Sequence, residues 1–352
     1  MRAVLRVAMS LVLAAALLAG CAQPRPVGGG FPGPTMRSAL ASAGVRDGRT
    51  DFQAAFCAHY RAAKKHAPQT CEHWFVLPEQ ATPAPVSRRP SQATIVIIPG
   101  ILGECVSKWV TPFSHDYEYL RGIGYRVEVI PVTGRGSSAV NAGQIHAFFE
   151  THAVEHAIII GYSKGVTDYM LAASQPRGAG WRGRVAALVS VAGVVNGTPV
   201  AGRSQDLYQH VLSRLPWSSC GPSDGGGVAS LTYGQAFDIA AGFAHTPRRY
   251  PVYSIAAVAE GSPVNPMLRG FHRWLNAVDR RNDGQVLMED AIVPGSTSLG
   301  AMRADHWSIA LPFEDSDAPL MRPFGIDNHF PRHALLKAVL DIVERDISGG
   351  KE

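Results

Sequence analysis

The segment Gly161-Tyr162-Ser163-Lys164-Gly165 holds a serine with a glycine two residues to either side. On a tight turn, such a serine can present its hydroxyl clear of the backbone, as a nucleophile toward an acyl carbon. Chance gives roughly 0.25 matches of this kind in a chain so rich in glycine and serine, so the motif alone decides little. Its surroundings say more. Ala157-Ile158-Ile159-Ile160 reads as a buried parallel strand, and Val166 to Ala173 reads as a helix with Met170 and Leu171 on its buried side. The serine therefore stands on a strand-to-helix turn, where flanking glycines let strand and helix pack closely. An ordinary loop serine or a helix N-cap is the bland reading of the same residues.

A nucleophilic serine needs a base, an acid to orient the base, and donors for the oxyanion that develops on the substrate. Pro99-Gly100-Ile101-Leu102-Gly103 follows the first strong strand and offers the donors. One would be the amide of Ile101, the second the amide of Lys164 beside the nucleophile. The Lys164 side chain is expected to face solvent from the helix N-terminus. The rival reading is that its cation favours an anionic substrate or the oxyanion. Among thirteen histidines, His306 in Ala304-Asp305-His306-Trp307 follows a short segment that can be the last strand. His329 and His333 are alternatives beside or within the closing helix, where surface or capping roles are expected. The acid should lie before His306. Asp283, in Arg281-Asn282-Asp283-Gly284, is a turn aspartate suited to that role; Asp290 is the rival, and Asp279 reads as embedded in a helical pattern.

The elements that must position these groups alternate. Strands are expected over Thr94–Ile98, Tyr125–Val132, His156–Ile160, Val185–Ala192 and Val252–Ala257. Helices are expected over Tyr117–Gly122, Ala139–His152 and Ala334–Arg345. Strands separated by helices indicate βαβ units in one parallel sheet. An insertion of about sixty residues separates the strands at 185 and 252, long enough to hold a cap or lid. It carries Leu207, Tyr208, Val211, Leu212 and Leu215 on one helical face, then Gly225-Gly226-Gly227 as a hinge candidate. A helix packed permanently on the core fits those residues equally well. Upstream, Phe52, Phe56 and Tyr60 recur every four residues within a helical stretch over 50–66. With 46% hydrophobic and 17% charged residues the chain is globular, and a net charge of +5 without a basic run gives no footprint for nucleic acid.

The N-terminus has the pattern of a targeting segment. Arg2 and Arg6 precede an apolar run, Val7 to Leu18, too short to span a bilayer comfortably. Leu18-Ala19-Gly20-Cys21 resembles the lipobox of bacterial lipoprotein precursors. That resemblance implies removal of residues 1–20 and lipidation of Cys21. Ala22 in place of aspartate then points to an outer-membrane destination, facing the periplasm or the exterior. Residues 21–49 are expected to be a flexible tether, 50–91 an N-terminal extension, and 92–352 the main domain, with its cap-like insertion at about 197–250. Four other cysteines remain, Cys57, Cys71, Cys105 and Cys220. In an exported protein an even number favours two disulfides, with Cys57–Cys71 closing a short loop and Cys105–Cys220 as the long-range complement. Free buried thiols are the other option, and the spacings do not suggest zinc.

Taken together, these pieces resemble the α/β-hydrolase superfamily, and within it the bacterial secreted triacylglycerol lipases. Pro99 to Gly103 is similar to that family's His-Gly-x-x-Gly oxyanion loop, and Gly161 to Gly165 to its nucleophile elbow. Asn196-Gly197-Thr198-Pro199-Val200-Ala201 resembles its Arg-Gly-Ser-Pro-Val-Ala stretch. Asn282-Asp283-Gly284 with His306 resembles its acid loop and histidine. The order Ser, Asp, His is the one that this family uses. The resemblance covers roughly residues 94–345. It implies an α/β-hydrolase fold: a mostly parallel central sheet flanked by helices, with a helical cap or lid and a small N-terminal helical extension. It also implies a serine ester hydrolase acting on acyl esters or lipids with Ser163, Asp283 and His306, without cofactor. The chain departs from the family at Pro99 and at Tyr162, both usually histidine, though neither position performs chemistry in that scheme. Ser308 stands where many of these lipases place a calcium-binding aspartate, so no metal site is expected. Two other functions share the fold: an envelope acyltransferase or thioesterase, and a non-catalytic lipoprotein.

Overall fold

A computed structural model describes residues 44–63, 69–79, 92–101, 103, 110–203, 223–313 and 329–349. Cys21, Cys105 and Cys220, and the helical face Leu207 to Leu215, lie outside the described residues.

Seven strands form one sheet: β1 (Arg46–Asp47), β2 (Thr94–Ile98), β3 (Arg126–Val129), β4 (Ala157–Tyr162), β5 (Val185–Val191), β6 (Val252–Val258) and β7 (Thr297–Arg303). Their order is β1-β7-β6-β5-β4-β2-β3, and every neighbouring pair is parallel. The described α-helices are α1 (Arg49–Ala63), α2 (Tyr117–Gly122), α3 (Ser138–Thr151), α4 (Lys164–Ser174), α5 (Tyr233–Ala244), α6 (Arg269–Leu275) and α7 (Arg332–Gly349). None of them is long and apolar enough to cross a membrane.

Alternation along the strands divides the core by sheet face. Ile95, Ile97, Ile158, Ile160, Val189 and Ile255 point to the side covered by α1, α2 and α7. Val96, Ile98, Ile159 and Leu188 point to the side covered by α3, α4 and α5. Because both faces of β2 and β4 are buried, these strands read in sequence as unbroken apolar runs. Chain order reverses at β2: β3 lies on one side of it and β4 on the other. In such a sheet the loops leaving the two central strands diverge, and a crevice opens at their carboxyl ends. Ile98 pairs with Gly161, so the loops that leave β2 and β4 start side by side.

Arg46 and Asp47, which fall in the expected tether over 21–49, instead add a strand alongside Thr297 and Ser298. Helix α1, in the expected N-terminal extension, shares the main core: Phe52, Phe56 and Tyr60 pack in one cluster with Leu335, Val339 and Ile342 of α7. The Cys57–Cys71 disulfide ties α1 to the short 3₁₀ turn Cys71–Trp74. Within the insertion over 197–250, the described residues are docked. Ala240 and Phe243 of α5 are buried with Tyr169 and Met170 of α4, making α5 the ordinary crossover helix between β5 and β6. The Gly227 N–H donates to the Arg135 carbonyl at 3.1 Å, and a β-carbon at Gly226 would meet Ser137 at 2.7 Å. The glycine cluster is thus a close-packing site against the loop before α3.

Candidate active site

Ser163 directly follows β4 with φ 55° and ψ −126°, a conformation that costs a non-glycine residue about 1–3 kcal/mol. The surrounding bonds impose it. The serine N–H donates to Val191 O, and its carbonyl accepts from Val166 and Val194, all at 3.2 Å. Gly165 permits the crossing of α4 over β2, since a β-carbon there would overlap the Ile98 carbonyl. A β-carbon at Gly100 would lie 2.8 Å from Ser163 Cβ, so the Pro99–Ile101 loop is pressed against the serine. Among the described residues, the amides of Ile101 and Lys164 donate to no backbone carbonyl. An amide at the first turn of a helix has no intrahelical partner, which leaves Lys164 N–H free to meet an anion.

His306 follows β7. Its Nε2 lies 2.8 Å from Ser163 Oγ, and its Nδ1 lies 2.7 Å from Asp283 Oδ2. The roles follow from the partners: Nδ1–H donates to the carboxylate, which leaves the Nε2 lone pair toward the hydroxyl. Serine, histidine and aspartate are all buried. The acid loop explains its own sequence. Asp283 Oδ1 accepts the N–H groups of Gln285 at 2.8 Å and Val286 at 2.7 Å, leaving Oδ2 for the histidine. Asn282 accepts from Gly284 N and donates to Asn276 and the Asp279 carbonyl. Gly284 takes φ 94°, which only glycine adopts without strain. The His306 N–H donates to the Asp283 carbonyl at 2.8 Å, tying the two loops by backbone as well as side chain.

The other candidates are placed elsewhere. Asp290 is buried, but its Oδ2 accepts from Tyr233 and its carbonyl accepts from Val195 and Asn196. It braces the stretch after β5, where Gly197 has φ 99° and Thr198 donates to the Gln285 carbonyl. His329 is exposed, and His333 on α7 pairs with Asp116. Asp279 is not helical: α6 stops at Leu275, and Asp279 forms a turn with Arg281.

The solvent-facing reading of the Lys164 side chain is overturned. Lys164 and Asp168 are each 1% exposed and form an ion pair at 2.6 Å, and Asn141 Nδ2 donates to the other Asp168 oxygen at 2.6 Å. A cation at a helix N-terminus opposes the macrodipole, so it is tolerated in the interior only with a carboxylate one turn on. Neutralised by Asp168, this ammonium is no free anchor for an anionic substrate.

Two residues that were not expected from the sequence shape the histidine loop. Asp305 accepts the N–H groups of Asn265 at 2.7 Å, Trp307 at 3.0 Å and Ser308 at 2.7 Å. Burial pushes its carboxyl up, while those amide bonds oppose the shift. Arg332, at the start of α7, donates to the Ser308 carbonyl at 2.7 Å, and burial pulls its guanidinium down to about 10. Adjacency to His306 is a sequence signal for Asp305; Arg332 has none.

No family model matches the sequence, and no curated protein matches it. Solved structures do. The metagenomic carboxyl esterase MGS0156 is 30% identical, with a TM-score of 0.76 over 94% of this chain and 99% of the esterase. The propeptide form of Bacillus licheniformis lipase BlEst2 is 17% identical, with a TM-score of 0.50 over 72% of this chain and 52% of the lipase, a likeness of fold alone. Identity of this extent across nearly the whole esterase, on a parallel sheet whose loops carry serine, aspartate and histidine in that order, shows that the chain belongs to the α/β-hydrolase family that includes carboxyl esterases and lipases.

Proposed function

We propose that the protein is a serine carboxylic-ester hydrolase whose acyl-enzyme forms on Ser163. The observation that carries this reading is the continuous chain from Ser163 Oγ through both nitrogens of His306 to Asp283, at 2.8 and 2.7 Å, on a strained serine. Ser163 Oγ attacks the acyl carbonyl while His306 Nε2 takes the hydroxyl proton. Negative charge moves to the carbonyl oxygen, where the Ile101 and Lys164 amides stabilise it. As the tetrahedral adduct collapses, His306 returns the proton to the departing alcohol oxygen, leaving the acyl group on Ser163. A water molecule then gives a proton to His306 and attacks the acyl carbon, and as this second adduct collapses His306 returns the proton to Ser163 Oγ and the carboxylic acid leaves. Asp283 holds the imidazole in the required tautomer and stabilises its cation throughout.

In this proposal Cys21 carries the lipid, and residues 22–43 lead from the outer membrane to the folded domain. The substrate is then an acyl ester or lipid met at the envelope. Turnover of 4-nitrophenyl esters from acetyl to palmitoyl, with and without micelles and an acceptor alcohol, tests the reaction. Free acid as the main product supports a hydrolase; an ester of the added alcohol as the main product points to an acyltransferase. No turnover of any ester by the folded protein would sink the reading. Mass analysis of the Cys21 peptide tests the anchor separately.

A further inference from the structure

We propose that Tyr162 is a positioning residue for the base: its hydroxyl holds the His306 backbone, so the strand that presents the nucleophile also sets the imidazole. The proposal rests on the function assigned above to Ser163 and His306. Tyr162 is buried, and its hydroxyl donates to the His306 carbonyl at 2.8 Å. Its ring lies 5.4 Å from the imidazole, centre to centre, at 34°. Among the described residues no backbone N–H reaches that carbonyl, so Tyr162 supplies the donor that a buried carbonyl requires. The opposite end of the same residue, its N–H, is held by Asp283.

His306 is thereby gripped from both sides, by the acid loop through its N–H and by β4 through its carbonyl. Tyr162 immediately precedes Ser163, so this bond ties the histidine loop to the strand that carries the serine. Burial and the neighbouring carboxylates of Asp283 and Asp305 push the phenol well up, so it remains a protonated donor wherever the enzyme would work. A histidine at this position, as in the lipases the sequence resembles, is shorter and carries no phenol. The hydroxyl contact is therefore a feature of this chain's own tyrosine.

The test compares Tyr162→Phe with Tyr253→Phe in the full chain. Tyr253 is also buried, and its hydroxyl donates to Asp346 Oδ2 at 2.7 Å, behind the sheet. Each variant loses one oxygen from a buried phenol. A misplaced base loses roughly 10- to 100-fold in rate, so Tyr162→Phe should lower kcat by that factor with KM unchanged within about two-fold. Its rate of inactivation by a fluorophosphonate should fall in parallel. Tyr253→Phe should match the wild type in kcat and KM, with a thermal midpoint lowered by about as much as in Tyr162→Phe. Near-UV circular dichroism establishes that both variants are folded. Equal kcat in wild type and Tyr162→Phe, or equal losses in the two variants, would overturn the proposal. A wild type that neither turns over esters nor reacts with the fluorophosphonate removes the assigned function, and this positioning role with it. A wild type that reacts, beside a Tyr162→Phe that reacts equally fast, removes the positioning role alone.

Discussion

Two histidine–carboxylate pairs, one at the carboxyl edge of the sheet and one behind it, look alike in distance and differ in what surrounds them. His59 on α1 meets Asp341 on α7 through Nε2 at 2.5 Å, and its ring is 21% exposed. His306 meets Asp283 through Nδ1 at 2.7 Å and is buried. The first pair fastens one helix to another. The second has both ring nitrogens engaged, with the far one 2.8 Å from a serine held at positive φ. A short contact to a carboxylate is therefore not the mark of a base. What distinguishes the site is the use of the second nitrogen, together with loops that leave the imidazole no other orientation.

The largest expected effects separate the two pairs outright. Ser163→Ala or His306→Ala should cost about 10⁴- to 10⁶-fold in kcat for ester turnover. Asp283→Asn should cost roughly 10³- to 10⁴-fold, because the amide stabilises the wrong imidazole tautomer. Asp341→Asn should leave kcat within about two-fold and lower only the thermal midpoint, by several degrees. A large kcat loss in Asp341→Asn would break the comparison.

A second contrast is predicted within the acid loop itself. Asp290→Asn should keep most of the activity while losing about 1–3 kcal/mol of stability in urea unfolding, since it weakens the buried side-chain bond from Tyr233, keeps the main-chain carbonyl that Val195 and Asn196 use, and touches nothing that holds His306. Loss of activity comparable to that in Asp283→Asn would mean that the two carboxylates have been assigned the wrong way round.

The buried pair beside the serine sharpens the comparison from the other direction. Lys164→Met leaves Asp168 charged and buried, and should cost about 3–5 kcal/mol in denaturant unfolding. Removing both charges with Lys164→Met and Asp168→Leu should recover most of that loss. If the double variant is no more stable than the single, the ammonium has a role that Asp168 does not explain.

Smallest is the helix pair behind the sheet. His59→Gln should change stability by about 1 kcal/mol and leave turnover unaltered, because the ring is partly exposed and Asp341 keeps a hydrogen-bonding neighbour. Urea unfolding and ester turnover measured on the same preparation check both halves.

Much of this contrast is readable in sequence at Ser163, where an apolar run, a Gly-x-Ser-x-Gly turn and a helix meet. β2 and β4 are equally legible, because burial on both faces demands continuous isoleucine and valine. Asp283 and Asp290 are harder to tell apart. Both sit near turn residues, both are buried, and only the tertiary bond to His306 separates them. Lys164 misleads because a lone charge suggests solvent; the partner one helical turn on is visible in sequence, but Asn141 comes from another helix. Arg46 and Asp47 carry no strand signal, being two charged residues that pair only because β7 offers an edge. Tyr162 stands out in sequence as a departure from the lipases, but its role does not, since the bond it makes is to a backbone carbonyl 144 residues away.

The most direct test of the central claim is covalent. The full chain is treated with a fluorophosphonate and digested, and the modified peptide is identified by mass spectrometry, with Ser163→Ala and Asp341→Asn run in parallel. One adduct is expected, on Ser163, at similar rates in wild type and Asp341→Asn, and none in Ser163→Ala. An unmodified wild type, or equal labelling of Ser163→Ala, would contradict that claim.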